Sequence, residues 1–197
     1  MSAPLPVPSD PYTQAEIVTA LGQQADDLHL FFRGVPADRF FMGTETRWAP
    51  AHHAQHLVQT VRPLAAGLPW PVLVTALQRA RPLAERLRAP GWTKGPPKPR
   101  TYTQIRRDYQ QVLRQGARAP ARYVPRLRAG HTQDRLARSV QVSILNLQAA
   151  LRGWDECRLD TLWLPHPLLG LLSIREMMFF TLYHNSHHVL GVQQLLG

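Results

Sequence analysis

The C-terminal segment 173–196 constrains the fold of this chain more than any other part of its sequence. Residues 173–176, Ser-Ile-Arg-Glu, match a capping box, in which the Ser and Glu side chains satisfy each other's backbone N–H groups at a helix start. From there to Leu196 no proline interrupts the chain. One face of the resulting helix reads Ile174, Met177, Thr181, His184, His188, Gly191 and Leu195. The segment therefore predicts a long helix that buries this stripe against other helices.

Three further long helices are predicted by the same periodicity. They are expected from about 13 to 34 after a second capping box, from residue 50 to about 69, and from Gln133 to Arg152. Pro63 predicts a kink or an early end within the second of these. Shorter helices are expected at about 72–88 and 102–115. Because no strand pattern of comparable length occurs, the fold class is all-α, most simply a four-helix bundle with Arg/Pro-rich inserted loops and short extra helices.

The length of 197 residues suits one domain. Proline-rich residues 1–12 are expected to form a flexible arm, and 13–197 a single helical-bundle domain with an irregular basic insertion at about 89–131. One cysteine excludes a disulfide framework and a Cys-rich zinc module, and Cys157 is expected to be a small buried side chain. No signal-peptide pattern and no membrane-length apolar run occurs, so we expect a cytoplasmic protein that does not interact with a membrane.

The formal net charge of +10 raises the question of a nucleic-acid partner. Tyrosines 102, 109 and 123 alternate with arginines in the insertion, as the surface of a single-strand binder would require. However, nearly all basic residues are arginines, and Ala, Pro and Leu are plentiful, which is typical of a GC-rich coding bias. Nucleic-acid binding therefore stays an alternative, and it requires the arginines to converge on one face.

Six of the nine histidines fall in two short windows, 52–56 and 184–188. His184 and His188 are four residues apart, which places them within about 40° on one helical face, where they can bind one ion from adjacent turns. A catalytic metal site takes about three protein ligands, so a third is needed from a facing helix. His56 on the second helix is the best candidate, with His52 and His53 as alternatives. His52, one turn before His56, is a candidate to line the pocket behind the ligands. His187 lies about 100° around the helix from His188, so it is expected to face a side wall or solvent, and neither His187 nor His53 is expected to matter for metal binding.

These residues also carry a family resemblance. Residues 48–50, Trp-Ala-Pro, followed by His56-Leu57, are similar to the start of the second helix in the DinB-like (DinB/YfiT, damage-inducible) superfamily. The run 165–170, Pro-His-Pro-Leu-Leu-Gly, with residues 173–177 and 183–188, is similar to that family's C-terminal motif. The sequence departs from the family at His52, where Glu or Gln is more usual, and in its long Arg/Pro-rich middle.

The resemblance implies a four-helix bundle, commonly a homodimer, with a divalent metal held by His56, His184 and His188. Zinc or nickel is the first expectation, and iron or manganese the second. Characterised relatives include transferases and isomerases that use low-molecular-weight thiols, so a small-molecule substrate and a metal-dependent thiol transferase or hydrolase are expected. No general base is evident, since Glu176 is explained as a helix cap. The alternative is a non-catalytic metal-binding or stress-response protein whose Arg-rich loops contact nucleic acid or a protein partner.

Overall fold

A computed structural model describes residues 12–70 and 98–197, and these residues are mostly helical. The predicted segments at 1–11 and 71–97, including the helix at about 72–88, lie outside the described residues. We number the described elements in chain order: α1 Gln14–Gly34, α2 Ala37–Phe40, α3 Pro50–Gly67, α4 Tyr102–Arg114, a 3-10 turn Ala121–Tyr123, α5 Gln133–Leu151, α6 Glu156–Thr161, β1 Trp163–His166, β2 Gly170–Ser173 and α7 Ile174–Leu196.

The four long helices α1, α3, α5 and α7 lie where the sequence predicts them. Thr13 and Ser173 both form complete capping boxes, which set the first residues of α1 and α7. Of the kink or early end predicted at Pro63, the early end does not occur, because α3 continues through this residue to Gly67. Val61 and Ala65 on either side of Pro63 are buried, so packing of the apolar face maintains the helix across the proline.

Helix α7 occupies the centre of the described structure. Helix α5 packs against α1 and α3, while α7 contacts α1, α3, α4 and the hairpin. Residues 176–185 of α7 are all buried, so the helix is covered around its circumference and not only along the predicted stripe. None of the helices in the described ranges is long and apolar enough to cross a membrane.

A short β-hairpin precedes α7 and is absent from the sequence prediction. β1 and β2 pair antiparallel from Trp163 opposite Ser173 to His166 opposite Gly170. Gly170 has φ +74°, a left-handed conformation that favours glycine at this turn. Because Ser173 ends β2 and also caps α7, the hairpin fixes where the histidine-bearing helix begins.

The segment between α5 and the hairpin also differs from expectation. Asp155 caps the short helix α6, and Glu156 and Asp160 within this helix form ion pairs with Arg175 of α7. The expectation that Cys157 is buried is wrong, since its side chain is exposed on α6. Leu159 is the buried residue of this short helix, and Cys157 lies on its exposed part.

Glu176 does more than cap α7. Its carboxylate accepts hydrogen bonds from the backbone N–H groups of Ser173 and Arg100, at 2.9 and 2.8 Å. The guanidinium of Arg100 also binds this carboxylate, with 3.2 Å between Nε and Oε1. The Glu176 side chain is only 2% exposed, so these partners compensate the buried carboxylate in place of water.

We predict that Glu176→Ala lowers the free energy of unfolding by about 3–5 kcal/mol, because it leaves the Arg100 guanidinium without its buried partner. Glu16→Ala is the matched control, since Glu16 completes the same capping motif at the exposed start of α1. Urea unfolding of both variants measures the difference. Equal losses would show that Glu176 acts only as a cap.

Candidate metal centre

Helices α3 and α7 bring three histidines together in the core. His56 lies on α3, and His184 and His188 occupy successive turns of α7. The Nε2 atom of His184 is 3.2 Å from Nε2 of His56 and 3.1 Å from Nε2 of His188. All three side chains are buried, and their candidate ligand atoms lie within 4.8 Å of one another. The three residues chosen from the sequence therefore form one cluster.

This donor set fits a divalent ion. Ligand nitrogens at about 2.05 Å from a tetrahedral zinc are about 3.3 Å apart, close to the spacing of these Nε2 atoms. Imidazole suits zinc, nickel, copper and iron, whereas manganese and magnesium favour oxygen ligands. The cluster of His56, His184 and His188 contains no carboxylate. The arrangement could therefore hold a metal ion and leave a position for a further ligand.

The ring of His56 is oriented by the basic insertion. Its Nδ1 lies 2.7 Å from the carbonyl oxygen of Tyr123, in the 3-10 turn. A carbonyl can only accept, so Nδ1 carries the proton and Nε2 presents its lone pair to the other histidines. Segment 116–131, expected to be an irregular insertion, is largely irregular but positions one of the three candidate ligands.

His188 is supported by His53 rather than His52. The Nδ1 atoms of His53 and His188 are 2.8 Å apart, so one ring donates to the other, and donation by His188 leaves its Nε2 free as a ligand. A Cβ at Gly191 would lie 3.1 Å from Cε1 of His53, which shows how closely α7 approaches this ring. The Nδ1 of His52 is buried without a hydrogen-bond partner. His53, which was not expected to matter for metal binding, is therefore the residue in hydrogen-bond contact with a candidate ligand.

Trp48 packs over the cluster from the residues that precede α3. Its ring lies parallel to that of His188, with 6.2 Å between centroids, and 5.2 Å from that of His56. His187 lies outside the cluster and packs against Tyr109 and Tyr183, as its position on the helix predicted. The tryptophan of the sequence motif therefore covers one side of the imidazoles.

Burial keeps these imidazoles neutral. It lowers the pKa values of His184 and His188 well below the usual 6.5, and positive charge on neighbouring histidines would lower them further. Burial also lowers the pKa of His56, although the Tyr123 carbonyl opposes this shift. Neutral imidazole is the form that binds a metal, so the site is ready for an ion at pH 7.

A cavity of about 110 Å³ adjoins the cluster. Its walls come from α3, α4, the insertion, the hairpin and α7, and two members of the cluster, His56 and His184, line it. The insertion contributes Ala119, Pro120 and Tyr123 to the wall, and α7 contributes Met177 and Phe180. Most of the lining is apolar, so the cavity is suited to a small ligand beside the ion.

Two of the tyrosines and one of the arginines considered for a base-stacking surface are buried or engaged within the protein. Tyr102 and Tyr109 are buried, at 1% and 6% exposure, and cannot stack on bases. Arg100 is engaged by Glu176 and Asp108. A different group of basic residues lines one polar cleft between α3 and α5, namely Arg62, Arg128, His131 and Arg135.

No protein-family model, curated protein or solved structure matches this chain. The resemblance to the DinB-like superfamily therefore rests on the motif residues, and the assignment of the site rests on its geometry.

We predict that His53→Ala weakens zinc binding about 10- to 100-fold, because His188 loses the partner that orients its ring. His52→Ala, one residue away on the same helix, should leave the affinity nearly unchanged. Competition titrations with a chromogenic chelator measure both. Equal affinities for the two variants would show that the contact between His53 and His188 has no part in metal binding.

We also predict that the metal-free protein loses stability as the pH falls below 6.5. Burial lowers the pKa of His53 and of His166 to about 4. Between pH 6.5 and about 4 the unfolded chain binds protons that the folded chain excludes. The free energy of unfolding therefore decreases as the pH is lowered through this range, and it is fully retained above about pH 6.5. Urea midpoints at pH 7.5, 6.0 and 5.0 measure this trend. A midpoint independent of pH in this range would contradict burial of neutral imidazoles.

Proposed function

We propose that this chain is a divalent-metal-dependent enzyme of the DinB-like superfamily, a four-helix bundle in which His56, His184 and His188 hold the ion. One observation carries the proposal: three buried imidazoles direct their Nε2 atoms at one another beside an apolar cavity. Metal sites in bundle cores are built in this way from facing helices. The family resemblance also supports a homodimer, which the mass of the protein in solution would test.

The ion would lower the pKa of a thiol or water at its open position and so supply a nucleophile at neutral pH. The protein's own residues hold the site neutral and exclude water. Tyr123 and His53 orient two of the ligands, and Trp48 covers them. Three neutral ligands leave the charge of the ion uncompensated, which favours an anionic fourth ligand.

The absence of a carboxylate among the described lining residues favours a thiol over water. No Asp or Glu lines the described part of the cavity, so no carboxylate is placed to take a proton from a nucleophile there. A thiol has an ordinary pKa of about 8.5 and needs little help to ionise, whereas water needs much more. A low-molecular-weight thiol is therefore the proposed co-substrate, and thiol transfer is preferred to hydrolysis.

Anion binding is a second candidate function, and it rests on the basic cleft defined above. Arg62, Arg128 and Arg135 line this cleft together with His131, and no acidic residue is among its described lining. Such a surface suits phosphate groups, and its affinity would fall with added salt. Binding of a labelled single-stranded oligonucleotide at 50 and 200 mM salt, with an Arg62→Ala/Arg135→Ala variant, tests this function separately from the metal.

We predict about one divalent ion per chain in protein purified without an affinity tag. His56→Ala, His184→Ala and His188→Ala should each weaken zinc binding at least about 10- to 100-fold, given that supporting contacts alone reach this range. His187→Ala is the matched control, because His187 adjoins His188 on α7 but lies outside the cluster. Elemental analysis and chelator competition measure occupancy and affinity.

A thiol-conjugation screen on the zinc-loaded protein then tests catalysis. Activity should be abolished by a chelator, restored by zinc and absent from His184→Ala. A protein that takes up no metal would refute the site. A zinc-loaded protein that is inactive with every thiol would refute the enzymatic function and leave metal binding as the role of the site. A His187 variant as impaired as the His188 variant would show that the ligands on α7 are wrongly assigned.

A further inference from the structure

The turn of the hairpin holds His166 in one tautomer. The Nδ1 atom of His166 accepts hydrogen bonds from the backbone N–H groups of Leu168 and Leu169, at 3.2 and 3.1 Å. A ring nitrogen that accepts cannot carry a proton, so the proton of the neutral ring lies on Nε2. Burial, which lowers the pKa of His166 to about 4, keeps the ring neutral at pH 7. The hairpin therefore presents an uncharged N–H donor of fixed position.

His166 belongs to the wall of the cavity beside the histidine cluster. Its ring packs on that of Phe180, with 4.2 Å between centroids, and Phe180 in turn stacks on His184 at 5.0 Å. Within residues 12–70 and 98–197, Nε2 of His166 has no hydrogen-bond partner, since the bonds of this ring are made by Nδ1. The donor is therefore available to a ligand in the cavity.

Other polar groups of the wall are already engaged or uncharged. The hydroxyls of Thr60 and Thr181 donate to backbone carbonyls of their own helices, at 3.1 and 2.8 Å. Burial raises the pKa of Tyr109 to about 12, so its phenol stays neutral. None of the described lining residues is Asp, Glu, Lys or Arg. An ionised group on a ligand would lose its hydration here without gaining a counter-charge from the described wall.

We propose that the cavity binds a small uncharged molecule with an apolar body and one hydrogen-bond-accepting oxygen, and that Nε2–H of His166 binds this oxygen. The inference rests on the proposed function only in placing the ligand beside the metal. Binding itself requires the cavity and His166 and does not require the ion. An uncharged carbonyl compound is the simplest member of this class.

Three probes of similar shape separate the contributions. Acetophenone carries the carbonyl oxygen, α-methylstyrene replaces it with a methylene group, and benzoate replaces the acetyl group with a charged carboxylate. Saturation-transfer NMR and calorimetry on the full chain, metal-free and zinc-loaded, measure binding. We expect acetophenone to bind both forms more tightly than α-methylstyrene by roughly three- to tenfold, the value of one hydrogen bond. Benzoate should not bind the metal-free protein.

Two substitutions test the donor while preserving the turn. His166→Asn keeps an acceptor near the backbone N–H groups of Leu168 and Leu169 but is too short to donate into the cavity, so the preference for acetophenone should disappear. His166→Gln restores a donor near the position of Nε2 and should recover part of the preference. Circular dichroism and urea midpoints verify that both variants fold, and α-methylstyrene binding reports whether the cavity persists.

The outcomes distinguish this inference from the proposed function. No binding of acetophenone, equal binding of the two neutral probes, or a preference retained in His166→Asn would each overturn the inference. Failure to bind zinc, measured separately, would overturn the proposed function and leave the neutral-ligand pocket intact. Tight benzoate binding by the metal-free protein would show that the cavity is built for an anion, and this too would overturn the inference.

Discussion

Burial of polar imidazoles in an apolar core is the constraint on which the rest of this site depends. A buried polar group costs free energy unless it is hydrogen-bonded, so each ring needs a partner. His56 has the carbonyl of Tyr123, and His188 has His53. These partners lie on the insertion and on α3, so the histidine cluster depends on both segments as well as on α7. The same burial keeps the rings neutral and suited to a metal.

The basic insertion contributes directly to the candidate site. Its residues 119–123 form one wall of the cavity and supply the carbonyl that orients His56. The prolines of this segment disfavour a regular helix and leave backbone carbonyls free of helical hydrogen bonds, and the carbonyl of Tyr123 reaches the imidazole. A change in this segment can therefore act on the candidate metal site without touching a ligand.

Helix α3 separates two chemically different surfaces. His56 and Thr60 line the cavity, which is apolar and without a charged side chain in its described lining. Gln55 and Arg62 on another side of the helix line the basic cleft against α5. A neutral ligand and an anion would thus bind at distinct places, and the two candidate functions of the chain do not compete for the same residues.

The sequence by itself determined the long helices and the candidate ligands. Capping boxes, periodic apolar residues and four-residue histidine spacing are local signals, and they placed α1, α3, α5, α7 and the pairing of His184 with His188. Only the tertiary structure decided that His53 rather than His52 supports His188, because both lie near His56 and the choice depends on how α7 crosses α3 at Gly191. The hairpin, the Tyr123 carbonyl and the tautomer of His166 were beyond prediction for a related reason. The Tyr123 carbonyl meets a ring that is 67 residues away in sequence. The hairpin and the tautomer of His166 depend on short strands and backbone N–H groups, which produce no periodic pattern of side chains.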